Sequence, residues 1–202
     1  MAVPQHPPAW PDDARRDRLI GDWHIYQREG GHRTSTDDLI TAWYAVHRVS
    51  RPPARYLDLG CGLGSVLLMV SHRLRPALAH GVEAQAQSVS LAQRAIAELP
   101  EHESKVSVDH ADFRRAFRDV CPHDLIFLDP PYLSPSVERD PRAYTASRFS
   151  QADLRDLQSL IERCVAKGVN VIFCWGSALD SGPFSSGSWT KVGRDCVWTS
   201  YS

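Results

Sequence analysis

Residues 54–74, ARYLDLGCGLGSVLLMVSHRL, decide the fold of this chain. Tyr56, Leu57 and Leu59 make a short apolar run that ends at Gly60, which reads as a buried β-strand. Gly60, Gly62 and Gly64 then form a loop, and Ser65–Leu74 reads as a helix. A strand running through glycines into a helix is half of a parallel β–α unit, and the pattern recurs downstream. ALAHGVE (77–83) is a second strand and AQSVSLAQRAIAEL (86–99) a second helix. KVSVDHA (105–111) is a third strand, RRAFRD (114–119) a short helix and DLIFLD (124–129) a fourth strand. QADLRDLQSLIERCVAKG (151–168) is a helix stopped at Gly168, and VNVIFCW (169–175) a fifth strand. Such alternation predicts an α/β fold with a mostly parallel sheet and helices on both faces. Ligands then bind beyond the carboxyl ends of the strands.

The flanks are less regular. Residues 1–11 hold four prolines and read as a disordered tail. Residues 12–53 form an extension before the main domain, residues 54–202. Within it, after an amphipathic start, Trp23, Ile25 and Gln27 alternate with His24 and Tyr26, as in a short strand ending at Gly30-Gly31. TSTDDLITAWYAVHRV (34–49) reads as a helix capped by Ser35 or Thr36, with Asp37 and Asp38 favourable toward its dipole. Leu39, Ile40, Trp43 and Val46 are its expected apolar stripe. Residues 177–202, rich in turn formers, are expected to close the sheet with one or two strands.

At 202 residues the chain suits one domain with a substantial core. It is 43% hydrophobic and 23% charged, with a net charge of −1, so no global field draws it to nucleic acid. Arginines do gather in the first third, between Arg15 and Arg55. No apolar run is long enough to span a membrane and the start lacks a secretory pattern. Five cysteines, with no Cys-x-x-Cys, point away from a disulfide framework or structural zinc and toward reduced thiols in a cytoplasm. The histidines show no metal-ligand spacing.

Two motifs sit at strand ends. The first, Asp58 to Gly64, joins a strand to a helix through glycines that permit positive φ and close approach of a ligand. Its Gly-x-Gly-x-Gly spacing differs from the dinucleotide fingerprint; alone it also suits an ordinary loop or a dinucleotide site. Glu83 ends the next strand, at the roughly 20-residue distance from which an acid can accept from ribose hydroxyls. Asp112 can accept from an adenine amino group, and Phe113 can cover its ring. Cys61, inside the loop, suits small-residue packing.

The second motif, Asp129-Pro130-Pro131-Tyr132, suits a flat ring bearing an amine. The lone pair of an aromatic amine is delocalised into its ring. Acceptors aimed at its hydrogens, the Asp129 carboxylate and the Pro130 carbonyl, favour the tetrahedral nitrogen that attack requires. The prolines stiffen the loop and remove N–H donors. Tyr132 can stack on the ring, a contact worth about 1–3 kcal/mol.

Asp58 to Gly64, Glu83, Asp112 and Asp129 to Tyr132, in this order, resemble the motifs of class I S-adenosyl-L-methionine-dependent methyltransferases with a single-domain Rossmann-like fold. The resemblance implies that Asp58, Gly60, Gly62 and Gly64 hold the methionine end of the cofactor, Glu83 the ribose, and Asp112 and Phe113 the adenine. Asp129, Pro130, Pro131 and Tyr132 resemble the catalytic signature of amino-group methyltransferases, whose targets are adenine-N6, cytosine-N4, guanine-N2 and a glutamine amide. The glutamine enzymes generally carry Asn first, so Asp129 leans toward a nucleobase. No cysteine stands in the Pro-Cys setting that methylation of cytosine carbon-5 needs, and no metal is implied.

The first half, residues 21–114, is similar to bacterial tRNA(Val) adenine-N6 methyltransferases, which usually have Asn at the position of Asp129. The second half is closer to DNA adenine-N6 methylases, where a Tyr and a Phe follow the catalytic loop as Tyr144 and Phe149 do here. These two either line the base pocket or pack the loop. The DNA enzymes normally insert a target-recognition region between the two motifs, and here the fold consumes that segment. The target base must be unpaired or extruded, which an RNA loop offers most readily. The expectation is adenine-N6 methylation of RNA, tRNA above all. The alternatives are a DNA adenine-N6 enzyme and a cofactor-binding subunit whose protein partner recognises the substrate.

Overall fold

The computed structural model describes residues 12–31, 33–100, 105–112, 124–130, 150–175, 182–185, 188–192 and 195–200. The proline-rich tail, the 114–119 helix and the residues Phe113, Pro131, Tyr132, Tyr144 and Phe149 lie outside them.

Strands β1 (Ala14–Ile20) and β2 (Trp23–Arg28) form an antiparallel hairpin, followed by helix α1 (Thr36–Arg48). Then come β3 (Arg55–Leu59), α2 (Ser65–Leu74), β4 (Leu78–Glu83), α3 (Ala86–Ala97), β5 (Lys105–His110) and β6 (Leu125–Leu128). Helix α4 (Gln151–Ala166), β7 (Asn170–Trp175), a short 3-10 turn (Gly182–Ser185), β8 (Ser188–Val192) and β9 (Asp195–Thr199) complete the described elements. The main sheet runs β5-β4-β3-β6-β7-β9-β8. The first five strands in that order are parallel, and β9 and β8 add antiparallel at one edge. The order reverses direction between β4-β3 and β3-β6, so the carboxyl ends of β3 and β6 flank the crevice where such sheets bind ligands.

Side-chain alternation splits the strands between two cores. Tyr56, Leu125 and Phe127 face one side with Leu67, Met69 and Val70 of α2. Leu57, Leu59, Ile126 and Leu128 face the other, with Leu154, Leu157, Leu160 and Ile161 of α4. Strands covered on both faces carry apolar residues at nearly every position, which is why they read as continuous runs.

Two expectations about the extension need correction. Helix α1 does not bury Leu39, Ile40 and Trp43; Leu39 is 54% and Trp43 58% exposed, and Ile40 is also exposed. Its buried face is Thr41, Ala42, Tyr44 and Ala45. The helix packs on α2, and small residues there let the two backbones approach, while Tyr44 Oη donates to Thr190 Oγ1 at 2.9 Å. Tyr26, which alternates with Trp23 and Ile25 along β2, is buried as they are, so the strand does not keep one buried and one open face. Its hydroxyl donates to Glu98 and its ring lies beneath Arg94. Both faces of β2 are used because the hairpin leans on α3, where Trp23, Ile25 and Tyr26 join Leu63, Leu68 and Leu91 in one apolar cluster. The amphipathic start at residue 12 is the first strand of that hairpin.

Candidate functional site

Every strand-end motif that falls on described residues lies at the carboxyl edge of the parallel strands. Asp58 and Leu59 end β3, and Gly60 turns the chain away with φ 85°. The turn is held from the neighbouring strand, with the Gly60 and Cys61 N–H groups donating to the Val82 carbonyl at 2.8 and 3.2 Å. Gly62 and Gly64 also have positive φ, and Gly64 is the N-cap of α2. Asp129 arrives from β6 beside this loop, its N–H donating to the Leu59 carbonyl at 3.2 Å. A methyl group on Gly60 would stand 2.7 Å from the Asp129 carbonyl oxygen, inside van der Waals contact. Glycine at position 60 therefore lets the second motif close onto the first.

Asp58 is 1% exposed. Its Oδ2 accepts the Tyr56 hydroxyl at 3.3 Å, and its Oδ1 is buried with no hydrogen-bond partner among the described residues. Burial pushes the Asp58 carboxyl well above the usual carboxylate range, and the charges of Asp129, Glu83 and Asp38 push the same way against the Tyr56 hydrogen bond. A buried acceptor left without a donor is a place for a ligand that brings one.

Glu83 ends β4 and is buried. Its two oxygens accept the Gly62 N–H at 3.0 Å and the Gln85 N–H at 2.8 Å, so it ties the glycine loop to the start of α3. Each oxygen keeps a second lone pair for a ligand hydroxyl. Asp112 follows the end of β5, half-buried, beyond the Ala111 N–H that donates to the Glu83 carbonyl at 3.0 Å. Asp129 is exposed toward the cleft and Pro130 is buried. Cys61 is buried, and burial pushes its thiol well up, followed by the Asp58 and Glu83 charges. A thiol so placed is no nucleophile, in line with a packing role.

The cleft between the motifs is lined by Asp38, Asp58, Gly60, Gly62, Ser65 and Asp129, among others. Asp38 was not read as a site residue from the sequence. Its role at the start of α1 explains it locally, because Ser35 and Asp38 form a capping box. Only the packing of α1 on α2 brings it to the glycine loop, where Ser65 Oγ donates to Asp38 Oδ2 at 2.8 Å. No local signal in the chain carries that placement.

This geometry agrees with relationships found by comparison. The family model for the methyltransferase small domain matches residues 40–158. A tRNA1(Val) (adenine(37)-N6)-methyltransferase of Yersinia enterocolitica is 32% identical over 130 residues, covering 61% of this chain and 50% of the relative. The chain thus spans about half the length of the curated relatives it matches. Among solved structures, the SAM-dependent methyltransferase from Agrobacterium tumefaciens superposes with a TM-score of 0.61 at 12% identity, covering 96% of this chain and 72% of that one. The tRNA (uracil-54, C5)-methyltransferase of Pyrococcus abyssi, in complex with S-adenosyl-L-homocysteine, superposes with a TM-score of 0.56 at 14% identity over 94% of this chain and 45% of that one. At such identities these two likenesses show the fold, the Rossmann-like arrangement of class I methyltransferases. Among the described residues no helix is long and apolar enough to cross a membrane.

Proposed function

The chain belongs to the methyltransferase small domain family, and on that premise we propose that it methylates the N6 amine of adenine in RNA, tRNA above all, using S-adenosyl-L-methionine in the cytoplasm. One observation carries this reading: the Asp129 carbonyl lies directly against Gly60, so Asp129 and the glycine loop line one cleft. The matched relatives named as tRNA1(Val) (adenine(37)-N6)-methyltransferases support the choice of base and of RNA.

The residues present fit the methyl donor. Asp58 offers a buried oxygen with no partner among the described residues, Gly62 leaves open space beside the backbone of the loop, and Glu83 retains lone pairs for ribose hydroxyls. Asp112 and Phe113 are assigned the adenine of the donor. The donor supplies a methyl carbon on a sulfonium; the nitrogen–carbon bond forms as the carbon–sulfur bond breaks, and the electron pair leaves with sulfur. The chain itself positions and polarises the amine. The Asp129 carboxylate and the Pro130 carbonyl accept its two hydrogens and so favour the localised lone pair. Pro130 presents a carbonyl with no competing N–H on its own residue. The surplus proton passes to Asp129 or to water. Tyr132 is assigned to stack on the base, with Tyr144 and Phe149 as further pocket residues.

Nucleoside mass spectrometry after incubation with the donor and either total tRNA or genomic DNA tests the reading. N6-methyladenosine in tRNA is the expected product. Methylated deoxyadenosine alone would move the target to DNA, the reading that Asp129 in place of Asn favours. No product on either, with the donor bound, would make the chain a subunit that needs a protein partner. Asp129→Ala should lower transfer by about a hundred- to a thousandfold, the scale for losing one preorganised polar group, with donor affinity nearly intact by calorimetry.

A further inference from the structure

The cleft is more acidic than the two sequence motifs explain. Asp38 reaches it from the first turn of α1, half-buried. Its Oδ2 accepts the Ser65 hydroxyl at 2.8 Å and the Ser35 N–H at 3.2 Å, and its Oδ1 accepts the Ser35 hydroxyl at 3.2 Å. The Ser35 contacts belong to the helix cap. The Ser65 contact does not: it holds the carboxylate over the first turn of α2, just after the glycine loop. Asp58 lines the same cleft with a buried oxygen that has no partner among the described residues. No Lys, Arg or His is among the described residues lining it.

Asp38 and Asp58, in a cleft that Asp129 also lines and that has no Lys, Arg or His among its described lining residues, call for a ligand that brings positive charge and N–H donors. Among the described residues no three His, Cys, Asp or Glu side chains are grouped to hold a metal ion. The pair instead suits a primary ammonium, a compact cation with three donors. We infer that Asp38 joins Asp58 as a second carboxylate for the α-ammonium at the methionine end of the donor, a role that rests on the donor reading above. Ser65 then acts as a positioning residue that holds Asp38 over the loop. An ammonium seated there also relieves the repulsion that the Asp129, Glu83 and Asp38 charges add to the burial of Asp58.

Calorimetry on the full chain tests this with two ligands. S-adenosyl-L-homocysteine carries the ammonium; 5′-methylthioadenosine keeps the adenosine and thioether but lacks the amino-acid end. Asp38→Asn should weaken S-adenosyl-L-homocysteine by about ten- to a hundredfold, the range for losing a hydrogen bond to a charged group, and leave 5′-methylthioadenosine at its wild-type affinity. Asp38→Ser, which keeps an acceptor for the Ser35 N–H, is read in the same way. Ser35→Ala removes the cap hydroxyl while keeping the carboxylate, so the ratio of the two affinities should stay at the wild-type value. Equal loss of both ligands, no loss of S-adenosyl-L-homocysteine, or a ratio shifted as far by Ser35→Ala would overturn the inference while leaving the donor reading in place. A wild-type chain that binds neither ligand would overturn both.

Discussion

Asp58 is a buried carboxyl held among other acidic groups of the cleft, and the consequences are measurable without any ligand. Its carboxyl is raised above the ordinary range first by burial and then by the Asp129 charge. A carboxyl raised on folding holds its proton more tightly in the folded state than in the unfolded one. Its contribution to stability is therefore full below the unfolded value, near 3.9, and is lost as pH rises through the folded value. The ligand-free chain should lose stability over that window, and Asp58→Asn should flatten the loss and raise stability near neutrality. Chemical denaturation across the pH range checks this; an unchanged slope in the variant would clear Asp58 of the effect. Gly60 makes a different demand. With φ at 85° and the Asp129 carbonyl 2.7 Å from any added Cβ, Gly60→Ala meets both strain and contact. We expect a cost of about 1–3 kcal/mol in unfolding free energy, together with weaker donor binding, because the Asp129 loop must move away from the glycine loop.

Helices α1 and α4 show what is written locally and what is not. Ser35 and Ser150 each open a capping box with an Asp three residues on, a signal carried wholly by neighbouring residues. The buried face of α1 carries no such signal. Large apolar side chains pointed to Leu39 and Trp43, yet the helix uses Ala42 and Ala45 to approach α2. Ala45→Leu should therefore destabilise the chain by about 1–3 kcal/mol through overpacking, whereas Trp43→Ala should stay within about 0.5 kcal/mol of wild type. Equilibrium unfolding of both variants decides between the faces, and a larger cost for Trp43→Ala would return the buried face to the large residues.

Across the whole molecule, one edge of the parallel sheet is finished by antiparallel strands from the C-terminal segment. Strand β9 pairs with β7, bringing Trp198 opposite Phe173. Trp198 is fully buried, and its ring meets Phe184 edge-on at 5.3 Å while Phe184 stacks on Phe173 at 4.7 Å. This aromatic group adjoins the core beneath α4. Trp198→Ala should cost about 3–5 kcal/mol, seen as a lower denaturation midpoint with cooperative unfolding retained. A loss below about 1 kcal/mol would mean that the segment is ornamental to the fold.

The parallel strands, the helices Ser65–Leu74, Ala86–Ala97 and Gln151–Ala166 and the order of the motifs could be read from the chain alone, because each rests on short-range patterning: apolar runs buried on two faces, glycines where φ turns positive, caps beside the turns they close. The approach of Asp129 to the glycine loop rests on β3 and β6 lying side by side and parallel, with Leu59 beside Leu128. The face α1 presents to α2, the burial of Tyr26 and the arrival of Asp38 at the glycine loop had no such local mark. They depend on how closely two helices approach and how a hairpin leans on a third, which are properties of packed surfaces. A side chain meets them only when the fold closes.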